Sequence, residues 1–172
     1  MTSMSIKTRL LGFLKGFYYA FRGIVSCVKS ERNIRVHLCA AFYVLGFMHF
    51  YELSSAEKAV TYLTIGVVIA FEIVNTAVEA CVDLISPKYH PLAKKAKDAA
   101  AGAVLCVCIF AAVIGVCIYW DTVVFHRIYC YFYDHVFVFI GFLISIVLWL
   151  VFIFSADAVK EVKEKDNDND KH

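Results

Sequence analysis

Residues 59–84 read AVTYLTIGVVIAFEIVNTAVEACVDL and decide the fold. The segment is long enough to cross a bilayer as one helix, because about 20 apolar residues span a hydrocarbon core of ~30 Å. Its second half carries four polar residues, Glu72, Asn75, Glu79 and Asp83, which fall within roughly 80° of one helix face. A charge near the bilayer centre costs about 2.5–3.5 kcal/mol on insertion scales. This polar stripe must therefore face protein, a water-lined cleft or a metal, and we expect it to form or adjoin the functional site.

Composition places the chain among membrane proteins, and its long apolar segments predict a polytopic all-α fold. Hydrophobic residues make up 61% of the 172 residues and the mean hydropathy is +0.69, whereas soluble domains contain ~45–50% apolar residues. The seven cysteines include no Cys-x-x-Cys pair, so we interpret them as small core hydrophobes. No glycine-rich P-loop or Rossmann motif is present in the sequence, which disfavours those nucleotide sites, and we expect no nucleic-acid partner.

Four apolar segments organise the chain: Leu38–Tyr51, Ala59–Leu84, Ala99–Trp120 and Val136–Phe154. The first is short for a membrane span, since about 14 helical residues reach only ~21 Å. If it nevertheless crosses, the basic N-terminal region and the basic loop Pro87–Lys97 lie on the same side, as the positive-inside tendency favours. We therefore predict four spanning helices with both termini in the cytoplasm.

The remaining segments complete the predicted domain organisation. Residues 1–30 carry apolar residues at helical spacing with lysine and arginine on other faces, which predicts an amphipathic helix on the inner leaflet or a helix packed on the bundle. Residues 31–120 would form a transmembrane core, and residues 121–155 an additional transmembrane hairpin or helix. Residues 156–172 are charged and end in KDNDNDKH, so we expect a disordered tail.

Carboxylates inside a membrane bundle have more than one interpretation. They can form a proton relay or an ion path, or lock helices together. The flanking residues favour another chemistry, because Glu31 and the Lys97-Asp98 pair lie at the same predicted cytoplasmic surface. Glu31 and Glu79 could share a hard divalent cation, and Lys97 could neutralise phosphate. Glu72, in partly apolar surroundings, could act as a general base. These are the components of phosphoryl transfer to a lipid hydroxyl.

Three segments resemble a known family. Residues 72–83 (EIVNTAVEACVD) and 89–105 (YHPLAKKAKDAAAGAVL) are similar to the small prokaryotic integral-membrane lipid kinases, which comprise bacterial diacylglycerol kinases and undecaprenol kinases. Residues 30–37 (SERNIRVH) resemble the region before the first membrane helix of that family. The resemblance covers roughly residues 10–120. Its Glu-Arg-Asn and His-Pro-Leu-Ala-Lys segments are more similar to the undecaprenol kinase branch.

The resemblance implies a surface helix, a three-helix transmembrane core, and a homotrimer with composite active sites that face the cytoplasm from the bacterial cytoplasmic membrane. It implies ATP as phosphoryl donor, Mg²⁺ as cofactor, and a membrane alcohol as acceptor, with undecaprenol first and diacylglycerol second. In the family pattern, Glu72 is the catalytic base, and Glu31 and Glu79 bind the metal. Further implied positions are Asn75, Asp83, Lys97 and Asp98 in catalysis, Tyr19, Lys88, Tyr89, His90, Lys97 and Asp98 at the nucleotide, and Asn33, Arg35 and Glu72 at the lipid.

The fourth apolar segment and the charged tail have no counterpart in the three-helix pattern. Val136–Phe154 contains no charged residue, so it offers no catalytic group, and we expect it to pack on the outside of the trimer. A transporter or proton channel, and a structural membrane protein, remain the alternatives to a kinase.

Overall fold

The computed structural model describes the backbone of residues 6–169 and the side chains of residues 10–155. Within these residues the chain is all-helical, as the sequence predicts. The helices are α1 Ile6–Ser30, α2 Arg32–Phe47, α3 Ser55–Ile85, α4 Pro91–Tyr119, α5 Thr122–Asp134 and α6 Val136–Asn169. A short 3-10 turn at Met48–Phe50 follows α2. The first five residues of the predicted surface helix and the last three of the predicted tail lie outside the described residues.

Three helices are long and apolar enough to cross a membrane: α3, α4 and the Val136–Ser155 part of α6. Three of the four predicted spans are therefore confirmed in length and composition. The other predicted span, Leu38–Tyr51, falls mainly in α2. That helix has 16 residues and reaches about 24 Å, and among the described residues it is not a candidate span. A crossing by α2 stays a prediction.

Local sequence signals fix where the two central helices begin. α3 starts with a capping box, in which the Ser54 hydroxyl accepts from the Glu57 N–H and the Glu57 carboxylate accepts from the Ser54 N–H. α4 starts at Pro91, whose fixed φ suits the first turn of a helix. His90 caps this helix, since its Nδ1 accepts from the Leu92 N–H. The connection between α3 and α4, residues 86–90, is short, so the two helices form an antiparallel hairpin.

The α3–α4 hairpin forms the centre of the fold, and α2 packs on α3. At one end of the bundle the Tyr119 hydroxyl lies 3.0 Å from Thr61 Oγ1, and the Tyr51 hydroxyl donates to the Tyr119 carbonyl. At the other end, α2 begins near Glu72, because His37 Nε2 lies 3.1 Å from Glu72 Oε1. α3 continues for about 20 Å beyond Glu72. The end of α3 that carries most of the polar stripe therefore extends past the start of α2.

The predicted additional hairpin forms α5 and α6, and α6 packs along α2. The hydroxyls of Tyr43 and Ser145 are 2.9 Å apart. The rings of Phe42 and Trp149 have centroids 5.8 Å apart. α6 is thus attached to the helix that begins beside Glu72.

α6 continues past the apolar segment to Asn169, and the predicted disorder of residues 156–172 stays a prediction. The sequence that follows the apolar segment, ADAVKEVKEK, is rich in alanine, lysine and glutamate, which are strong helix formers. Extending an existing helix also avoids the cost of nucleation. The high charge of the segment therefore does not end the helix.

Candidate functional site

The four residues of the polar stripe lie along α3 and differ in burial. Glu72 is 4% exposed. Asn75 and Glu79 are half-buried, and Asp83 is exposed. Glu72 is in contact with His37 of α2, whereas Asp83 lies about three turns further along, two residues before the end of α3 at Ile85. The stripe therefore leads from a buried carboxylate to an open surface.

Glu72 is contacted from α2 by His37, at 3.1 Å between Oε1 and Nε2. Cys108 of α4 places its Sγ 3.8 Å from the same nitrogen. His37 was not among the predicted site residues, because its contact with Glu72 joins residues 35 positions apart. The available signal was its place at the end of the SERNIRVH segment.

Asn75 connects two parts of the stripe. Its Nδ2 donates to Glu79 Oε1 at 2.9 Å. Its Oδ1 is buried and, within the described part of the chain, has no hydrogen-bond partner. Leaving a buried acceptor unsatisfied costs about 1–3 kcal/mol, so this oxygen is suited to a cation or a ligand donor. Asn75 and Glu79 together present oxygen atoms of the kind that hard cations prefer.

Two exposed ion pairs lie where α3 ends and α4 begins. Lys97 Nζ is 2.5 Å from Asp83 Oδ1, which joins the two helices. Lys94 Nζ is 2.7 Å from Asp98 Oδ2, one turn away on α4. Such surface pairs contribute only about 0–1 kcal/mol to stability. These side chains can therefore exchange their partners for a charged ligand at little cost.

An open pocket of about 400 Å³ lies between the α3–α4 loop and the adjoining helix ends. It brings together five of the residues predicted to hold a nucleotide: Lys88, Tyr89, His90, Lys97 and Asp98. The ring of Tyr89 is 81% exposed and is available to stack on a planar group. Lysine ammonium groups beside it suit phosphate oxygens. The pocket has the charge and the aromatic surface that a nucleotide requires.

The other predicted site residues lie on α1, on α2 and at the junction between these helices. Glu31 occupies the break between these helices, with extended backbone angles of φ −113° and ψ 124°. Asn33 is exposed on the first turn of α2. Tyr19 is exposed on α1 and, among the residues that the structure describes, is not in the wall of the α3–α4 loop pocket. Burial, with the Glu31 charge as the second cause, raises the pKa of the Cys27 thiol, which disfavours a thiolate ligand here.

Arg35 links three helices. Its Nε and Nη2 donate to the carbonyls of Val28 and Lys29 at the end of α1. Its Nη1 donates to the Phe152 carbonyl and the Ser155 hydroxyl of α6, and the guanidinium lies 4.5 Å from the centre of the Phe152 ring. Arg35 is 5% exposed. Its predicted role at the lipid stays a prediction, since the contacts seen here join α6 to the start of α2.

An apolar pocket of about 270 Å³ lies between α2, α3 and α4. His37 lines its end beside Glu72, and Tyr119 lines the opposite end. Small and aliphatic residues form the walls between them, including Ala41, Val68, Ala111, Ile114 and Gly115. The volume is slightly below the ~300–1,000 Å³ common for ligand pockets, so it suits one end of a hydrocarbon chain. A buried carboxylate thus lies near the polar end of a hydrocarbon-lined cavity.

The residues that could bind a metal do not form a complete cage. Within the described chain, no group of three or more His, Cys, Asp or Glu side chains could hold a metal ion. Mg²⁺ usually binds one or two carboxylates together with substrate phosphates and water. The stripe oxygens of Glu79 and Asn75 fit that kind of shared site.

Comparisons with known proteins match most of the helical core. The family model described as prokaryotic diacylglycerol kinase matches residues 18–119. An undecaprenol kinase of Bacillus subtilis (strain 168) is 44% identical over 119 residues, 69% of this chain and 97% of that protein. A diacylglycerol kinase of Synechocystis sp. is 40% identical over 61% of each chain. A diacylglycerol kinase of Escherichia coli (strain K12) is 30% identical over 61% of this chain and 85% of its own length.

Proposed function

Because the chain belongs to the prokaryotic diacylglycerol kinase family and is therefore a membrane lipid kinase, we propose that it transfers the γ-phosphoryl group of ATP to undecaprenol. The product would be undecaprenyl phosphate. The family match ends at residue 119, the last residue of α4. The resemblance expected from the sequence motifs is thereby confirmed, and the matched region contains the whole polar stripe and both pockets that adjoin it.

The observation that carries the proposal is the position of Glu72 between a polar surface and an apolar pocket. The acceptor of a lipid kinase has the same two parts, a hydroxyl and a hydrocarbon body. Glu72 is nearly fully buried, and its neighbour His37 lines the apolar pocket. A lipid whose chain enters this pocket would place its hydroxyl near the carboxylate. This arrangement supports Glu72 as the general base.

Undecaprenol is proposed as acceptor because the Bacillus subtilis relative, 44% identical, is named an undecaprenol kinase. Diacylglycerol is the second candidate, since the relatives from Synechocystis and Escherichia coli are named diacylglycerol kinases. The apolar pocket is too small for the whole of either lipid, so most of the hydrocarbon would remain in the bilayer. Hydrophobic pockets discriminate by about 1–3 kcal/mol per methylene. We therefore expect activity on both alcohols, with undecaprenol preferred.

ATP is proposed to bind in the pocket at the α3–α4 loop. Lys97 would exchange Asp83 for phosphate oxygens, and Lys88 would add a second positive charge. Tyr89 and His90 offer their rings to the nucleobase of ATP. Asp98 and Tyr19 complete the set of proposed nucleotide residues. Asp98 is paired with Lys94, which lies one turn earlier on α4, and Tyr19 lies on α1. Side chains have to bind the phosphates here because the sequence has no glycine-rich loop.

Mg²⁺ is proposed to bind between Glu31 and Glu79 together with the phosphates of ATP. When bound, it would neutralise charge on the transferred phosphoryl group. Asn75 orients Glu79 through its amide nitrogen and offers its unpartnered Oδ1 as a further oxygen. Two carboxylates are within the usual requirement of Mg²⁺ at phosphate sites. Asp83 would keep Lys97 in place between turnovers.

The proposed step is an in-line phosphoryl transfer. The acceptor O–H bond breaks, and its proton passes to Glu72. The acceptor oxygen bonds to the γ-phosphorus while the bond to the bridging oxygen breaks, and ADP leaves with that electron pair. A correctly placed general base contributes about 10²–10⁴-fold to the rate.

We further propose that the enzyme lies in the bacterial cytoplasmic membrane as a homotrimer, with its site toward the cytoplasm. The lysines of the α3–α4 loop and of the first two turns of α4 support this orientation, because basic segments favour the cytoplasmic side. ATP is also found on that side. Asn33 and Arg35, at the start of α2, would then lie at the same surface as the stripe.

The proposal is tested with purified protein in mixed micelles that contain labelled ATP and both alcohols at equal mole fraction. Competition measures the ratio of the two kcat/KM values directly. A higher value for undecaprenol is expected. A ratio of about tenfold or more in favour of diacylglycerol, a discrimination that such pockets can supply, would change the acceptor but not the kinase assignment. Ion flux without ATP and without phosphorylation of any alcohol would contradict both the proposed acceptor and the kinase assignment.

A further inference from the structure

His37 occupies a position that the roles proposed so far leave unexplained. It lies on α2, its side chain is 24% exposed, and its Nε2 is 3.1 Å from Oε1 of Glu72 on α3. Cys108 of α4 approaches the same nitrogen at 3.8 Å. The imidazole also lines the apolar pocket between these three helices. His37 therefore contacts the buried carboxylate and also borders the space proposed for the acceptor lipid.

A buried carboxylate needs a hydrogen-bond donor, because an unpaired one is costly in apolar surroundings. His37 of α2 lies within hydrogen-bond distance of Glu72 Oε1, and an imidazole protonated at Nε2 can donate to it. The bond uses Oε1 and leaves Oε2 for a second partner. The orientation of the Glu72 carboxylate matters for the rate, because a displacement of about 1 Å at a reacting group can cost 10²-fold in rate.

We propose that His37 is a positioning residue for the reaction: its Nε2–H donates to Glu72 Oε1 and directs Oε2 toward the acceptor hydroxyl at the head of the apolar pocket. The inference rests on the proposed function of Glu72. In the transfer step, the proton of the acceptor hydroxyl passes to Oε2, the acceptor oxygen bonds to the γ-phosphorus, and ADP leaves. His37 gains and loses no proton in this sequence. It fixes which carboxylate oxygen meets the substrate.

The test compares two variants that differ only in the donor. His37→Gln keeps an N–H group on a flexible side chain, whereas His37→Met has the same length and no donor. We expect His37→Met to lower kcat by about 10–100-fold, in line with a misplaced reacting group, and to leave the KM for ATP within twofold. His37→Gln should recover at least tenfold of that loss. A role in packing alone would not separate the two variants.

His49→Leu is the control, because this histidine lies just beyond α2 and its hydrogen bonds in the described structure go to the backbone carbonyls of Leu45 and Gly46. Its kcat should stay within twofold of the parent value. If His37→Met is not recovered folded, His37→Asn replaces it, since its shorter amide cannot reach Glu72.

The outcomes separate this inference from the proposed function. Equal kcat values for His37→Gln and for the variant that cannot donate to Glu72, His37→Met or its replacement His37→Asn, would overturn the positioning role. Glu72→Gln is measured in the same assay. If Glu72→Gln is inactive while the His37 variants are equal, only the inference about His37 fails. If Glu72→Gln keeps near-normal kcat, the proposed base fails, and the inference fails with it.

Discussion

At the scale of single residues, Glu72 differs from the other members of the polar stripe because its carboxylate is buried and lies within hydrogen-bond distance of His37 on α2. Replacing Glu72 with glutamine keeps the size of the side chain and removes its basicity. We expect Glu72→Gln to lower turnover by about 10²–10⁴-fold, the usual contribution of a general base. ATP binding, measured by calorimetry, should persist because the nucleotide pocket lies at the α3–α4 loop.

The matched control for this substitution is Glu52→Gln, since the Glu52 side chain is 93% exposed and lies toward the opposite end of the bundle. Its turnover should equal that of the parent protein. Near-normal turnover in Glu72→Gln would contradict the assignment of the base, whatever the behaviour of the control.

Lys97 is the second residue with a specific expectation, because it joins α3 to α4 and lines the nucleotide pocket. Lys97→Ala should raise the KM for ATP by at least about tenfold, which corresponds to losing a charge-assisted hydrogen bond of roughly 1.5–3 kcal/mol. Lys95→Ala is the control, because Lys95 is exposed two residues away and does not line the pocket. Equal effects in the two variants would indicate that these lysines only anchor the loop to anionic lipid.

The spacing of polar residues in an apolar segment was sufficient to predict the stripe on α3, because helix periodicity is a local property. The contact between Glu72 and His37 could not be predicted in the same way. It depends on how α2 is placed against α3, which no local pattern encodes. The same holds for Arg35, whose partners on α6 lie more than 100 residues away.

At the scale of elements, the apolar pocket between α2, α3 and α4 is the proposed site for the hydrocarbon chain of the acceptor. Gly115 lines this pocket, and a Cβ added there meets no atom within 4 Å. Gly115→Leu should therefore fill the pocket without disturbing the backbone. We expect the KM for the lipid alcohol to rise by about tenfold or more, as for other blocked hydrophobic pockets. The KM for ATP should not change.

Gly66→Leu is the control for pocket filling, because Gly66 is an exposed glycine of α3 that does not line the apolar pocket. A Cβ added at Gly66 also meets open space. Similar lipid KM values in the two variants would place the acceptor chain elsewhere.

The attachment of α6 to α2 gives a second expectation for an element. Arg35 is buried and donates to carbonyls of both α1 and α6. Each buried acceptor left unsatisfied costs about 1–3 kcal/mol, so Arg35→Leu should lower the Tm in detergent by several degrees. Arg127→Leu is the control, since Arg127 is exposed on α5, and its Tm should stay the same. A higher lipid KM with unchanged Tm in Arg35→Leu would instead support the predicted role at the lipid.

The elements themselves were largely predictable, because long apolar segments and their flanking Pro, Ser and His residues are local signals. The end of α6 is less predictable, because the residues that follow the apolar segment combine a high charge, which is typical of disorder, with a high helix propensity. The packing of α6 on α2 also lay beyond the sequence. It is made by hydroxyl and aromatic contacts that appear only once both helices are in place.

At the scale of the whole molecule, the single chain leaves most of its apolar surface uncovered. In the candidate spans α3 and α4, only 11% and 6% of the 18-residue apolar stretch are buried within the chain. Lipid can cover such surface, because a membrane span needs no protein neighbour to hide apolar side chains. Lipid cannot cover the half-buried Glu79 and the exposed Asp83 at the same low cost. The polar end of α3 must therefore face water, a ligand or another copy of the chain.

A homotrimer would supply such copies, and closed rotational symmetry would give each of them the same environment. Native mass spectrometry in detergent should show three chains of 19.4 kDa each. If neighbouring copies complete the site, activity and assembly should fall together on dilution in detergent, since association depends on concentration. Lysozyme-sized monomer standards in the same detergent calibrate the mass scale. Full activity in a preparation that contains only single chains would show that one chain carries a complete site, and that α3 presents its exposed carboxylates to water and ATP alone.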